Sequence, residues 1–223
     1  MRVIVLFSGG LDSTTCLAKA VKEYGATNVL ALSLRYGQKH IREIECARSI
    51  AKYYGVEQIE FDVGKVFEGS DCTLLSGNHE VPDGAYAEQQ QKSDKPVSTY
   101  VPFRNGLFLS IATSIAVARG YNAVIYGAHQ DDAAGNAYPD CSKAFAVVMG
   151  EAIAEGTGMQ VELETPFVDT NKAVVVQCGL ALGVPYEMTW SCYKGGEKPC
   201  GKCGTCIDRA KAFEANGVED PAL

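Results

Sequence analysis

The sequence predicts an α/β fold in which a mostly parallel sheet has helices on both faces, and three observations support this prediction. Short apolar segments alternate with amphipathic segments along most of the chain, which is typical of parallel sheets. The first apolar segment runs directly into Ser8-Gly9-Gly10, a strand-to-helix turn at the edge where such sheets bind ligands. Four cysteines between positions 192 and 206 indicate a small additional segment near the C-terminus.

The first part of the chain is predicted to hold three strands and two helices. Asp12 is expected to cap the first helix and Gly25 to end it, while Gly55 ends the second. Ile41, Ile44 and the apolar residues that follow them define one face of the second helix. The predicted strands are 2–7, 28–34 and 58–63, and the predicted helices are 13–24 and 39–54.

Residues 64–100 are rich in Gly, Ser, Asp and Gln and show no period. A loop of this length in a compact domain is usually functional or mobile, and we expect one of these here.

The rest of the chain returns to alternating strands and helices around a polar loop at 129–140. The loops that begin at Ser8, Ser33 and Gly127 all follow predicted strands, so they should meet at one edge of the sheet. The predicted strands are 123–128 and 160–164, and the predicted helices are 105–119, a segment ending near 155, 172–182 and 204–216.

Composition and charge favour a small-molecule substrate. The formal net charge is −7, and no basic patch of the kind that binds a long nucleic acid is visible. No stretch approaches the roughly 20 apolar residues needed to cross a bilayer. The apolar start is too short for a signal peptide and is interpreted as a strand, so a cytoplasmic protein is expected, without a membrane or nucleic-acid partner.

The segment from Ser8 to Thr14 has the features of a phosphate-binding loop. Glycines let backbone N–H groups approach phosphate oxygens, and a helix start adds unpaired N–H groups and a favourable dipole. The hydroxyls of Ser8, Ser13 and Thr14 are further donors. Asp12 would repel bare phosphate, so it is interpreted as a helix cap or as a partner of Mg²⁺ carried by a nucleotide.

Cys192, Cys200, Cys203 and Cys206 supply four thiolates within fifteen residues. Their two Cys-x2-Cys steps are compatible with turns around one structural Zn²⁺. An iron–sulfur cluster is the sharper alternative, although the ferredoxin pattern would place a further cysteine where Ala210 stands. Redox or disulfide chemistry is the third reading.

Ser8-Gly9-Gly10-Leu11-Asp12-Ser13 resembles the loop of the N-type ATP pyrophosphatases, also called PP-loop ATPases, a superfamily with a Rossmann-like, adenine nucleotide alpha hydrolase-like fold. With Tyr138-Pro139-Asp140-Cys141, Glu164-Thr165-Pro166 and the cysteine segment, nearly the whole chain resembles one family within it, the 7-cyano-7-deazaguanine synthases of queuosine biosynthesis. The resemblance implies an ATP-dependent ligase that makes 7-cyano-7-deazaguanine from 7-carboxy-7-deazaguanine and ammonia through adenylated intermediates. It also implies a homodimer with one structural zinc ion per chain.

The resemblance assigns roles along the chain. It implies a PP-loop domain over 1–187 and a zinc-binding segment over 188–223. Asp12, Ser13, Arg104 and Lys172 are the candidate catalytic residues, although Arg104 and Lys172 also fit surface positions at helix starts. Tyr138, Pro139, Asp140 and Thr165 are the candidate substrate contacts, with a Pro-Asp turn as the alternative reading of the first three. The candidate ATP contacts are Ser8, Gly9, Gly10, Leu11, Asp12, Ser13, Thr14, Leu32, Ser33, Arg104, Asn105 and Gly127.

Some positions depart from the family pattern or leave a choice open. Leu11 and Phe103 stand where the family usually has Gln and Gly, and Ser142 stands where it often has Arg. These differences affect the expected substrate contacts more than the expected reaction. His129, Asp131 and Asp132 are interpreted as part of a polar loop, with a metal site as the alternative. The competing functions are a tRNA thiolase of the same superfamily and a nucleotide-binding module without catalysis.

Overall fold

A computed structural model describes residues 1–39, 42–77, 79–90 and 95–222 of the chain. Within these ranges five parallel strands form one sheet in the order β3-β2-β1-β4-β5. Val3 of the central strand is in register with Val29 on one side and Ala123 on the other. The strands are β1 (Val3–Leu6), β2 (Val29–Arg35), β3 (Glu57–Asp62), β4 (Ala123–Ile125) and β5 (Glu162–Glu164).

The α-helices lie close to their predicted positions, with short 3₁₀ turns between several elements. His40 and Ile41, which were assigned to the second predicted helix, lie outside the described residues. The helices are α1 (Leu11–Tyr24), α2 (Arg42–Tyr54), α3 (Tyr86–Gln90), α4 (Arg104–Arg119), α5 (Gln130–Ala133), α6 (Lys143–Gly156), α7 (Lys172–Leu182) and α8 (Gly204–Glu214).

Alternate side chains of the central strands face two different cores, which confirms the predicted three-layer arrangement. Val3 and Val5 of β1 pack with α1, α2, α7 and α8, whereas Ile4 packs with α4 and α6 on the other face. A strand buried on both faces reads as a continuous apolar run, and this is why β1 could be recognised in the sequence. Parallel strands also direct their carboxyl ends, and the loops that follow, to one edge.

A third core joins the long 64–100 stretch to the cysteine segment. Phe67, Leu74 and Val81 are buried against Trp190 and Cys203. Residues 83–84 also pair with the backbone of the cysteine segment, because Gly84 N–H donates to the Lys202 carbonyl at 2.9 Å. The cysteine segment is therefore packed into the molecule beside the edge at which the strands end.

The structure corrects three predicted details. Asp12 is not a helix cap, because α1 begins at Leu11, two residues before the predicted start at 13, and Gly10 occupies the cap position. The stretch 64–100 was expected to lack regular structure, but it contains α3 and a 3₁₀ turn at Gly64–Phe67. The polar loop 129–140 contains the short helix α5. These elements are only one or two turns long, so they leave little periodicity in the sequence.

Two polar contacts stabilise the C-terminal half of the chain. Ser142 caps α6, accepting a hydrogen bond from Phe145 N–H at 3.1 Å, which gives this departure from the family pattern a structural role. The buried Arg209 of α8 forms a bidentate ion pair with Asp220, in which Nε donates to Oδ2 at 2.6 Å and Nη2 donates to Oδ1 at 2.8 Å. The C-terminal residues are thereby held against α8. In the described part of the chain, no helix combines the length and apolar character needed to cross a membrane.

Candidate active site

The loop between β1 and α1 turns on Gly9 and Gly10. Gly9 has a φ of +86°, and a Cβ at this position would lie 2.6 Å from backbone atoms of Glu43 and Ala47 in α2. Glycine is therefore required here by conformation and by close packing together. The Gly9 carbonyl accepts a hydrogen bond from Trp190 N–H at 3.1 Å, so both α2 and the cysteine segment hold the loop in place.

Hydroxyl groups fold the loop back on the start of α1. Ser13 Oγ accepts a hydrogen bond from Ser8 N–H at 3.2 Å and lies 3.1 Å from Ser8 Oγ. Ser8 Oγ in turn accepts from Gly10 N–H at 3.2 Å. Thr14 is buried, and its hydroxyl donates to the Gly10 carbonyl at 2.7 Å. The first N–H groups of a helix have no hydrogen-bond acceptor within the helix. Those of α1 lie beside this loop, because the helix begins where the loop ends.

Asp12 lies in the first turn of α1 and forms a charged cluster with α7 and α5. Its Oδ2 is 3.4 Å from Nζ of Lys172, a buried lysine at the start of α7. Burial alone would raise the pKa of the Asp12 carboxyl, but Lys172 and then His129 outweigh it and bring the pKa well below its usual range. Burial lowers the pKa of Lys172, but Asp12 and Asp132 reverse that effect and raise it. Both groups are therefore charged at neutral pH.

His129 is a fully buried side chain that lies between two carboxylates. Its Nε2 is 3.5 Å from Asp12 Oδ1 and 3.3 Å from Asp132 Oδ2, and among the described residues neither ring nitrogen has a partner with hydrogen-bond geometry. Burial lowers the pKa of this imidazole, but Asp132 and Asp12 raise it above its usual value. Asp131 points elsewhere, since its Oδ2 accepts from Lys172 N–H at 2.8 Å. The three polar residues of this loop therefore do not converge on one point.

The start of α4 forms the opposite wall. The Arg104 guanidinium lies 5.2 Å from the centre of the Tyr36 ring and 5.8 Å from that of Phe108, and its Nη1 donates to the Tyr36 hydroxyl at 3.2 Å. Asp140 Oδ2 accepts a hydrogen bond from Asn105 N–H at 2.9 Å. Asp140 therefore supports the first turn of α4, in addition to any contact it makes with substrate.

Phe103, immediately before Arg104, has a left-handed φ of 52°. The glycine of the resembled motif would adopt this conformation without strain.

Tyr193 of the cysteine segment lines the third side, and it packs against the buried residues Tyr138 of the 129–140 loop and Tyr86 of α3. The hydroxyl of Tyr138 lies 2.6 Å from Thr99 Oγ1, and its ring packs edge-on against that of Tyr86, with the ring centres 5.3 Å apart. Burial raises the pKa of all three phenols, so they remain protonated at neutral pH. Neutral hydroxyls that both donate and accept are suited to hold a polar heterocycle between aromatic rings.

One cavity connects these walls. Of the predicted ATP and substrate contacts, nine line it: Ser8, Gly10, Leu11, Asp12, Ser13, Leu32, Arg104, Asn105 and Gly127. Ser33 instead donates to the Phe7 carbonyl at 2.6 Å, so its side chain supports the strand end that leads into the loop. The other predicted contacts that are not part of the cavity lining are Gly9, Thr14, Tyr138, Pro139, Asp140 and Thr165, and Lys172 lies behind Asp12.

The four clustered cysteines meet beside this cavity. Their ligand atoms all lie within 4.8 Å of one another, and four sulfurs bound tetrahedrally at about 2.3 Å from one zinc ion would be about 3.8 Å apart. Cys203 N–H and Lys202 N–H donate to Cys200 Sγ at 3.3 and 3.4 Å. Hydrogen bonds from the Cys203 and Cys206 thiols lower the pKa of Cys192. The donor set and its spacing fit a metal ion.

Comparisons with known proteins decide the family. The model of the family "Queuosine biosynthesis protein QueC" matches residues 2–217. The chain belongs to the QueC family. It is 44% identical over 224 residues to the 7-cyano-7-deazaguanine synthase of Archaeoglobus fulgidus, covering 100% of this chain and 90% of that protein. The 7-cyano-7-deazaguanine synthase of Psychromonas ingrahamii is 41% identical over 223 residues, with coverage of 99% and 96%.

A solved structure shows the same fold at much lower identity. It is the U34-tRNA thiolase NcsA from Methanococcus maripaludis with its [4Fe-4S] cluster, with a TM-score of 0.52 and 17% identity. The match covers 97% of this chain and 66% of that one. It confirms the PP-loop ATPase-like architecture, and QueC membership makes the present chain an ATP-dependent enzyme.

Several residues that line the cavity of this QueC chain were not predicted to be site residues. Tyr193 follows the zinc-ligand candidate Cys192, and Trp190, Ser191 and Thr205 come from the same segment. Asp132 also lines the cavity, although it was read as part of a polar loop. Ser191 and Tyr193 flank Cys192, so the cysteine segment was the available signal, but it was interpreted only through its cysteines.

Proposed function

We propose that this chain is a 7-cyano-7-deazaguanine synthase of queuosine biosynthesis, converting 7-carboxy-7-deazaguanine and ammonia to the 7-cyano product with ATP. One observation carries this proposal beyond family membership. The phosphate loop, the Arg104 guanidinium and the tyrosine side chain of Tyr193 face a single cavity. An adenylate formed at the loop would therefore have its acyl group beside groups that can hold a deazapurine.

The chemistry follows from the poor leaving group of a carboxylate. A carboxylate oxygen attacks the α phosphorus of ATP, the bond between the α and β phosphates breaks, and pyrophosphate leaves. Ammonia then attacks the acyl carbon, and AMP leaves to give the amide. In a second round the amide oxygen is adenylated, and the nitrile forms as AMP departs with that oxygen. AMP and pyrophosphate are the proposed nucleotide products of both rounds.

We propose that the loop residues hold the phosphates. The backbone N–H groups at the start of α1 and the Ser8 and Ser13 hydroxyls supply the donors. Arg104 and Lys172 add positive charge as negative charge shifts onto pyrophosphate. Mg²⁺ would arrive with ATP and reduce the charge of its phosphates, with Asp12 as the protein group that fits it. The loop set is Ser8, Gly9, Gly10, Leu11, Asp12, Ser13 and Thr14.

We propose that adenine lies against the ends of β1, β2 and β4, where Leu32 and Gly127 line the cavity and Ser33 supports the turn. The deazapurine would lie toward Asn105 and the segment from Tyr138 to Asp140, with Thr165 further along the same edge. In this arrangement Asp140 acts mainly through the first turn of α4, which its carboxylate supports.

The proposed domain organisation has a PP-loop domain over 1–187 and a zinc-binding segment over 188–223. The cluster of Cys192, Cys200, Cys203 and Cys206 would hold one structural Zn²⁺, because four thiolates close the coordination shell. All nine cysteines lie in the described residues and are free thiols. Cysteines stay reduced, and available to bind a metal, in a reducing compartment. We therefore propose a cytoplasmic location. The substrate is proposed to be a free small molecule, with no nucleic acid and no membrane as partner.

Oxygen labelling tests the proposed reaction. With ¹⁸O in both carboxylate oxygens, mass spectrometry should find label in AMP, and two ATP should be consumed for each nitrile formed. The amide supplied with MgATP and no ammonia should still give the nitrile, because its nitrogen is already in place. Label in inorganic phosphate with ADP as co-product would instead show phosphorylation of the substrate. An inert amide would contradict two activations at one site.

We propose that the chain forms a homodimer through α6. Val147 and Val148 are 51% and 64% exposed on this helix, and nearby Phe103, 57% exposed, packs edge-on against Phe145. An apolar surface of this kind marks an interaction site more often than a solvated face. Apolar contacts between two copies of α6 would cover it.

Charge on α6 should disrupt the dimer. Light scattering of wild type should give twice the chain mass of 23.8 kDa, and Val148→Glu should shift it toward one chain mass, since it buries an unpaired carboxylate. Val66→Glu is the matched control, because Val66 is 62% exposed on a different surface. A dimer unaffected by Val148→Glu, or one that Val66→Glu also dissociates, would exclude this interface.

A further inference from the structure

The nitrogen atom of the product has to lose four protons on its way through the site. This follows from the proposed function, on which the inference rests: nitrogen enters as ammonium at neutral pH and ends as a nitrile that bears no hydrogen. One proton leaves before attack, one after addition to the acyl carbon, and two as the adenylated amide becomes the nitrile. A base beside the nitrogen is therefore needed in both rounds of activation.

Among the described residues, three carboxylates line the cavity, and their surroundings differ. Asp12 is committed to Lys172 and His129 at the start of α1. Glu43 lies on the loop side, in the first turn of α2, where its Oε1 faces Gly10. Asp132 lies on α5, where its Oδ2 is 3.3 Å from His129 Nε2 and its carbonyl accepts a hydrogen bond from Tyr138 N–H at 3.1 Å. It is thus the carboxylate on the side where the acyl group would be held.

The groups around Asp132 suit a small cation. Asp132 and Tyr193 line the same cavity, and the Asp132 carbonyl accepts a hydrogen bond from Tyr138 N–H at 3.1 Å. The charge of Asp132 also contributes, after the larger effect of burial, to raising the pKa of Tyr86, Tyr138 and Tyr193. Phenol oxygens accept hydrogen bonds from ammonium, and aromatic faces attract cations. The Asp132 side chain is 23% exposed, so protons and ammonium can reach it from the cavity.

His129 orients this carboxylate from behind. Its ring is fully buried, its Nε2 lies 3.3 Å from Asp132 Oδ2, and Asp132 itself lines the cavity. The same nitrogen is 3.5 Å from Asp12 Oδ1. A buried imidazole without another described partner is costly unless it serves these two carboxylates. His129 is accordingly a positioning residue, linking the phosphate loop to Asp132.

We propose that Asp132 is a catalytic residue that binds the ammonium ion and accepts the protons its nitrogen gives up. In the first round a proton passes from ammonium to the carboxylate and on to water, and the freed lone pair attacks the acyl carbon. The carboxylate then takes a second proton from the added nitrogen, and the bond from the carbon to the AMP oxygen breaks to give the neutral amide. In the second round the carboxylate removes one proton from the cationic nitrogen of the adenylated amide. The nitrogen lone pair forms the third C–N bond as AMP leaves, and the carboxylate, having released the first proton to water, takes the last proton to give the neutral nitrile. Each proton returns to water through the open side of the cavity.

Asp132→Asn separates this role from ATP handling. ATP–pyrophosphate exchange with 7-carboxy-7-deazaguanine requires no ammonia, and it should stay within about threefold of wild type. Ammonium-dependent amide formation should fall about 100-fold or more, in the range that loss of a general base produces. Conversion of the amide to the nitrile should fall similarly. Retained exchange also reports that the variant is folded and binds both substrates.

A control variant and a different nucleophile test the proposal further. Asp131→Asn removes the same charge one residue away and keeps an acceptor for Lys172 N–H, so the exchange and ammonium-dependent rates should both remain near wild type. Hydroxylamine is largely unprotonated at neutral pH, so hydroxamate formation by Asp132→Asn should be impaired far less than amide formation. Loss of exchange in Asp132→Asn, or an unimpaired ammonium step, would overturn the proposal. Absence of exchange in wild type would instead refute the proposed substrate.

Discussion

Replacing Gly9 with alanine is expected to reduce ATP–pyrophosphate exchange at least about 100-fold. The φ of +86° at Gly9 costs an alanine about 1–2 kcal/mol. The added Cβ would also lie 2.6 Å from the Glu43 carbonyl oxygen and the Ala47 nitrogen, which are backbone atoms of a helix and cannot rotate away. Relief therefore requires the loop or α2 to move, and a displacement of about 1 Å at a reacting group can cost a factor of 100 in rate.

Gly10→Ala is the matched control for this prediction. Gly10 has an ordinary φ of −79°, and its added Cβ would approach Ser8 Oγ at 3.2 Å and Glu43 Oε1 at 3.4 Å, both of them side-chain atoms. Exchange should fall by less than about tenfold, and the thermal midpoint should change little. If Gly9→Ala retains activity comparable to Gly10→Ala, close packing of the loop on α2 is not what positions the phosphates.

The phosphate loop and the cysteine cluster could be predicted because each is local in sequence. Ser8 to Ser13 form their hydrogen bonds with one another, and the four cysteines span fifteen residues. The strands were recognisable for a related reason: Val3, Ile4 and Val5 are buried on both faces of the sheet. Helix ends were also predictable where a glycine adopts a positive φ, as at Gly55 and Gly120.

The walls of the cavity could not be predicted, because they join residues far apart in the chain. Lys172 reaches Asp12 across 160 positions, and Tyr86 of α3 joins Tyr193 in one cluster only because its ring packs against Gly204 of the cysteine segment. The interpretation of Asp12 as a helix cap was wrong for the same reason. An aspartate near a helix start is usually a cap, and only the presence of Lys172 and His129 shows that this one belongs to a charged cluster.

Besides its four candidate metal ligands, the cysteine segment contributes side chains to one side of the active-site cavity. Trp190 donates a hydrogen bond to the Gly9 carbonyl, and Tyr193 lines the cavity next to the ligand candidate Cys192. Lys194 also holds Asp83 at 2.6 Å, and this ion pair joins the stretch that carries α3 to the segment. Removal of the metal should therefore disturb the phosphate loop and the tyrosine wall together.

Cys203→Ala is accordingly expected to abolish both metal binding and turnover. Metal analysis of wild type should give about one zinc per chain, and the variant should give close to none, because three remaining thiolates no longer close the shell. Metal binding energy contributes to folding by several kcal/mol. With about 2–4 °C per kcal/mol for a chain of this size, the thermal midpoint should fall by roughly 10 °C.

Cys178→Ala, at a half-buried cysteine of α7 outside the cluster, controls for the loss of a thiol and should keep its zinc and its activity. Iron with labile sulfide in the wild type would favour a cluster like that of the thiolase with the same fold. Zinc-free Cys203→Ala with full turnover would show that the segment holds the loop and Tyr193 without its metal. Loss of turnover together with zinc, at a temperature where the variant is still folded, is the result that the packing of Trp190 and Tyr193 predicts.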